Sequence, residues 1–138
     1  MSGIACVPDT GVRHHFVVSD TLLGPGLKQN RAVSIGVSVE RLMDEVGQWG
    51  FGYLLTVSDD STTHLLALRP LVAGDVLRFD AGGGRACRNA NAHPQVSIVF
   101  PPGEHSNGFS LVVNGEATVD GDQVDVRPTS AVLHRPAP

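Results

Sequence analysis

Three consecutive glycines, Gly82-Gly83-Gly84, stand immediately before Arg85, Ala86, Cys87, Arg88 and Asn89. Glycines let backbone N–H groups approach an anion closely, and a helix N-terminus adds unpaired donors and a partial positive charge. If a helix opens at Arg85, then Arg88 and Asn89 each lie within about 60° of Arg85 at ~100° per residue. Ala86, Cys87 and Ala90 then take the other side and can pack on a sheet, which makes Cys87 a structural residue. Two outward guanidinium groups and an amide at an anion-favouring helix end form a candidate phosphate clamp. A solvated helix face would show the same pattern. From Ala81 to Gly103 there is no acidic residue, although the chain as a whole is acidic. The segment is not a P-loop, since no Gly-Lys-Ser/Thr follows, nor a G-x-G-x-x-G fingerprint.

The other polar residues suggest less. Arg69 is either a further cation for that site or an ordinary rim arginine. His64, in an apolar strand, reads as a hydrogen-bonded core or interface histidine. His93 precedes a proline at a helix end, where a cation suits the dipole. Asp59-Asp60 and Asp120-Gly121-Asp122 read as turn chemistry rather than paired catalytic carboxylates. No G-x-S-x-G elbow is present, so no serine nucleophile is expected. Cys6 and Cys87 make neither a disulfide framework nor a zinc pattern, and the six histidines are scattered. No catalytic residue and no metal ligand is assigned.

These residues need elements to hold them. Ser38 caps a short helix through Gln48, with Val39, Leu42, Met43 and Val46 as its apolar stripe. Tyr53–Ser58 and Thr62–Arg69 read as strands joined by a turn, the second apolar enough to be covered on both faces. Val76–Ala81 is a strand, then the glycine turn and a helix at about 85–92, stopped by Pro94. Gln95–Phe100 is a strand. Phe109–Asp120 alternates cleanly, with Phe109, Leu111, Val113, Gly115, Ala117 and Val119 on one face. Asp120-Gly121 turns the chain into Asp122–Arg127, and Ala131–His134 is a last short strand. Six or seven hairpin-connected strands with two short helices predict a mainly β, antiparallel split barrel.

The chain has 138 residues, 41% hydrophobic and 17% charged, with a net charge of −4, one lysine and nine arginines. That is one globular domain, without a basic stripe for nucleic acid or an apolar run for a membrane span. Residues 1–36 hold five glycines and carry +1, against −5 for the remaining 102. They read as an N-terminal extension with little structure of its own, although His14–Ser19 is a possible edge strand; residues 37–138 are the domain. So thin a core with an open sheet edge favours a homodimer. No secretory signal is visible, and a reduced, cytoplasmic setting is expected.

The order of strand, small-residue turn, arginine-led helix and H-P-Q-V-S-I-V-F-P-P (His93–Pro102) resembles the pyridoxamine 5′-phosphate oxidase-like family of flavin-binding split β-barrels. The resemblance runs from about residue 39 to the end. In the oxidases Ser-Arg-Lys opens the helix, and Gly84 and Arg85 fall on the serine and arginine. Thr62–Arg69 resembles the flavin-contacting strand, with Arg69 at its basic end. The closing G-F-S-L-V-V-N-G-E-A and R-P-T-S-A-V-L-H-R-P resemble an actinobacterial branch of unassigned activity.

Departures limit what carries over. The family lysine is Ala86, so Arg88 would replace it; Tyr-Thr of the preceding strand is Phe79-Asp80, an odd neighbour for a phosphate. The oxidases' C-terminal Arg-x-His has no counterpart before Pro138, which disfavours pyridoxamine phosphate oxidation. The resemblance implies FMN or the deazaflavin F420, with haem or biliverdin as lesser candidates. The phosphate would lie against Gly83, Gly84, Arg85 and Arg88, with the ring system along Ala67, Leu68 and Arg69. The resulting expectation is an oxidoreductase acting on a small molecule. The rivals are a non-enzymatic flavin or tetrapyrrole carrier and a degenerate member without ligand.

Overall fold

The computed structural model describes residues 32–138, and every structural statement below concerns these. The His14–Ser19 segment and the rest of 1–31 lie outside them. Eight strands and two α-helices follow one another: β1 Ala32–Val37, α1 Val39–Glu45, β2 Gly52–Val57, β3 Thr63–Leu68, β4 Leu71–Ala73, β5 Val76–Asp80, α2 Arg85–Ala92, β6 Gln95–Phe100, β7 Ser110–Asp120 and β8 Gln123–Pro136. All strand pairs are antiparallel, in the order β3-β2-β6-β7-β8-β5-β4, with β1 also on β8. This is the antiparallel split barrel expected from the strand and turn pattern. β1 begins at Ala32 and pairs with Pro136 to Ala131, so the strands start five residues before the expected domain edge.

β8 explains the word split. One of its edges runs the length of β7, while the other is shared between β5 at residues 123–126 and β1 at 131–136. In sequence, the region around Pro128 reads as a break between two strands. The strand in fact continues, because the register shifts between Asn114 and Gly115, leaving Thr129 as an extra residue beside Pro128. A bulge is where a sheet tolerates a residue without an N–H donor. Gly115 faces Pro128 there, and a Cβ on it would lie 2.6 Å from the Arg127 carbonyl oxygen.

The inward face of β7 matches its alternation: Leu111, Val113 and Ala117 are buried beside Leu54, Ile98, Phe100, Leu77, Phe79, Val124 and Val126. Ser38 caps α1, its side chain accepting from the Arg41 N–H at 3.2 Å. Leu42 and Val46 bring that helix and the 3-10 turn after it (Val46–Trp49) into the core. α2 contributes Ala86, Cys87 and Ala90, confirming the packing side read from the sequence.

β3 corrects an expectation. Its residues alternate between exposed and half-buried, and Leu65 is 56% exposed. One face therefore stands open in the single chain. The β2–β3 turn is held by Asp60, whose carboxylate accepts from the Ser58 and Thr62 hydroxyls and the Thr62 N–H. Those bonds favour its ionised form and hold its pKa at about 2.

Candidate functional site

α2 is positioned by polar contacts at two depths. His93, its C-cap, lies with Nε2 2.7 Å from Asp59 Oδ1, in the β2–β3 turn. One turn earlier, Asn89 Nδ2 donates to Thr56 Oγ1 at 3.1 Å, both residues being buried. The helix therefore runs along the β2–β3 hairpin, and its N-terminus points away from the turn, toward Arg69. Four residues of helix rise about 6 Å, so Arg85 stands roughly two strand residues beyond Thr56, level with Leu54 and Leu66.

Arg85 and Arg88 are exposed, and their side chains make no hydrogen bond or ion pair with any described residue. Gly84 is the N-cap, with no side-chain cap, so the first-turn N–H groups have no side-chain partner. A Cβ built on Gly84 would meet nothing within 4 Å. Uncapped donors, two unpaired guanidiniums and open space fit an anionic group. Arg69 also lacks a partner among the described residues, and its Nη1 lies 3.4 Å from a Cβ built on Gly50. Ala67 is exposed on the open face of β3, while Leu68 turns inward and packs on the core. Arg85 and Arg88 thus stand on α2, which also touches β3, while Ala67 and Arg69 are exposed on the face of that strand opposite to the one Leu66 and Leu68 turn toward the core.

Asn89 departs from the outward direction expected of it. It lies about 60° from Ala86 on the helical wheel at ~100° per residue, at the margin of the buried arc, and Thr56 draws it in. The spacing from Ala86 was the available signal. His64 sits directly across from Thr56 in the β2–β3 register, half-buried, with its Nδ1 buried and without a hydrogen-bond partner. Nδ1 therefore lacks the hydrogen bond expected of a core histidine; the other reading of His64 is an interface histidine.

The glycine turn itself is less bare than the sequence implied. Asp80 Oδ1 accepts from the Gly82 N–H at 3.2 Å. Asp122 reaches across from the β7–β8 turn, anchored by the Ala81 N–H donating to its carbonyl at 2.8 Å. Its carboxylate abuts Gly83 so closely that a Cβ there would collide with Oδ1. Gly83 also has φ +73°, a conformation that only glycine adopts without strain. Replacing Gly83 by Ala should therefore destabilise the domain by about 2 kcal/mol. A thermal melt of G83A matching the wild type would show that Asp122 and the turn yield freely.

A concavity of about 170 Å³ lies between α1 and β7/β8, with Leu42, Leu111, Leu133 and Trp49 among its walls. Trp49 meets His105 edge-on there at 4.6 Å between ring centroids. None of the residues assigned to the anion site lines it. No group of three or more His, Cys, Asp or Glu residues that could hold a metal is found among the described residues, and no helix among them is long and apolar enough to cross a membrane.

The chain is 32% identical over 117 residues to uncharacterized proteins of Mycobacterium bovis and of Mycobacterium tuberculosis, covering 73% of itself and 82% of each of them. It belongs to their family. No protein-family model matches it. Solved structures place the split barrel among the pyridoxamine 5′-phosphate oxidase-like folds. The FAD binding protein of Mycobacterium smegmatis superposes with a TM-score of 0.57 at 22% identity, over 77% of this chain and all of that one. A Corynebacterium glutamicum protein assigned provisionally as a pyridoxamine 5′-phosphate oxidase gives 0.58 at 10% identity, over 80% and 97%. An F420 reductase gives 0.50 at 23% identity, over 63% and 94%. The split barrel thus shares the fold that the resemblance implied.

Proposed function

We propose that the split barrel binds a phosphorylated flavin-type cofactor, FMN or F420, at a homodimer interface. The observation that carries this reading is the pair Arg85 and Arg88, left unpaired on an uncapped helix start beside open space at Gly84. Proteins of the same fold described as an FAD binding protein and an F420 reductase support it. Gly83 and Gly84 would offer backbone donors and Arg85 and Arg88 charge to the phosphate, while Ala67, Leu68 and Arg69 would lie along the ring system. The bound cofactor would supply the hydride or electron chemistry. The protein's part is to bind and orient, so no acid or base is assigned. The activity proposed is oxidoreduction of a small molecule, in the cytoplasm.

The dimer rests on the outer face of the sheet. Leu65 and Leu55 pair across β3 and β2; Ala67, Tyr53, Val99, Val112 and Val132 follow in register across β3, β2, β6, β7 and β8. None of these is fully buried in the single chain. A continuous apolar band of this kind is characteristic of an interface, and a second copy would cover the face of β3 that stands open. Cofactor binding is tested by titrating the purified protein with FMN and with F420 and following ligand fluorescence. Saturable binding of either supports the proposal, and no binding of either refutes it. Oxidation of the reduced cofactor by an added acceptor then separates an enzyme from a carrier. The carrier reading, for a flavin or for haem or biliverdin, draws its support from Asp80 beside the turn and from Ala86 in place of the family lysine.

A further inference from the structure

The concavity beside α1 reaches core depth. Leu42 and Leu111, 1% and 3% exposed, stand in its wall with the half-buried Val37 and Leu133. Two rings complete the wall, each fixed by its own turn. Trp49 ends the 3-10 turn that the buried Val46 anchors, and it packs on Phe100 at 6.5 Å between ring centroids. His105 sits in a second 3-10 turn, Glu104–Ser106. Ser106 Oγ closes that turn, accepting from the Gly103 N–H at 2.9 Å and donating to the Gly103 carbonyl at 2.8 Å. The crevice is therefore shaped before any ligand arrives, which spares the cost of ordering it on binding.

Size, charge and hydrogen-bonding capacity define the occupant. An apolar cavity of about 150 Å³ holds one benzene ring, so about 170 Å³ takes a single ring with a small substituent. A flavin, with its three fused rings, is too large. At the rim Arg41 Nε lies 2.9 Å from Glu45 Oε2, and the two charges offset each other. The Trp49 N–H and the His105 ring nitrogens have no hydrogen-bond partner among the described residues, so they are free to meet one polar substituent. We infer that this crevice binds a small, neutral aromatic molecule carrying one hydroxyl or carbonyl group, of which phenol is the simplest. Its wall shares no residue with the proposed cofactor site, so the two stand or fall separately.

Trp49 is the chain's only tryptophan, so its fluorescence reports this site directly. Phenol is titrated into the full-length wild type, with excitation at the red edge of the indole band. The emission should change saturably, with a dissociation constant on the order of 1 mM, as suits a ligand of so few atoms. Benzoate, the same ring with a carboxylate, should bind at least about 10-fold more weakly, because its charge must be desolvated against an apolar wall. Glu45→Gln leaves the Arg41 charge unbalanced and should narrow that gap by about 3- to 5-fold. His105→Ala removes an exposed wall residue and should weaken phenol about 3- to 10-fold while the melting temperature holds. Leu133→Phe fills the crevice and should abolish the saturable change; if that variant does not fold, His105→Ala decides alone. A purely linear decline in wild-type emission, the mark of collisional quenching, overturns the inference. So does a phenol affinity unchanged in His105→Ala, or benzoate bound as tightly as phenol.

Discussion

Replacing Arg85 and Arg88 together by alanine should weaken cofactor binding by roughly 100-fold or more, as expected for two charge-assisted hydrogen bonds of about 1.5–3 kcal/mol each. Both side chains are exposed and have no partner within the described residues, so their removal breaks no contact of the fold. The melting temperature should therefore stay close to that of the wild type, which separates a binding defect from a folding defect. Each single variant should lose part of the affinity, and the loss should diminish as salt rises. An affinity unchanged in the double variant would remove the phosphate clamp from the account.

The second large effect belongs to the outer face. Leu65→Glu places a carboxylate in the apolar band at the residue that is 56% exposed in the single chain. In a two-fold dimer each such change occurs twice. Each copy loses about 1.5–3 kcal/mol of leucine burial and adds a charge that must be desolvated. The dimer dissociation constant should therefore rise by at least about 100-fold. The single chain should keep its fold, because Leu65 makes no part of its buried core. Light scattering coupled to size exclusion checks this. A wild type that runs as a monomer, or an L65E variant that remains a dimer, would remove this interface from the account.

How much of this was legible beforehand follows from which contacts are local. The face alternation of β7, the Ser38 cap and the bounds of α2 come from spacing along a few neighbouring residues, and the structure reproduces them. β4 has no signal in the sequence, since three residues after Pro70 carry no periodicity. Pro128 reads as a break between two strands, and only the pairing with Gly115 shows the bulge that absorbs it. The arginine helix was visible as a motif. Its surroundings were not, because Asp122 lies about forty residues further along the chain and meets Gly83 only through the path of β7 and β8. A stretch free of carboxylates in sequence became, in space, a turn flanked by two of them. The pairing of Asn89 with Thr56 is another long-range contact, hinted at only by the spacing from Ala86.

Native mass spectrometry of the wild-type protein after loading with F420 or FMN tests the central claim most directly. The account predicts a dimer retaining one cofactor per protomer, with the cofactor lost from the Arg85→Ala, Arg88→Ala protein under the same conditions. A protein that retains neither cofactor, or a double variant that retains it as well as the wild type, would contradict the account.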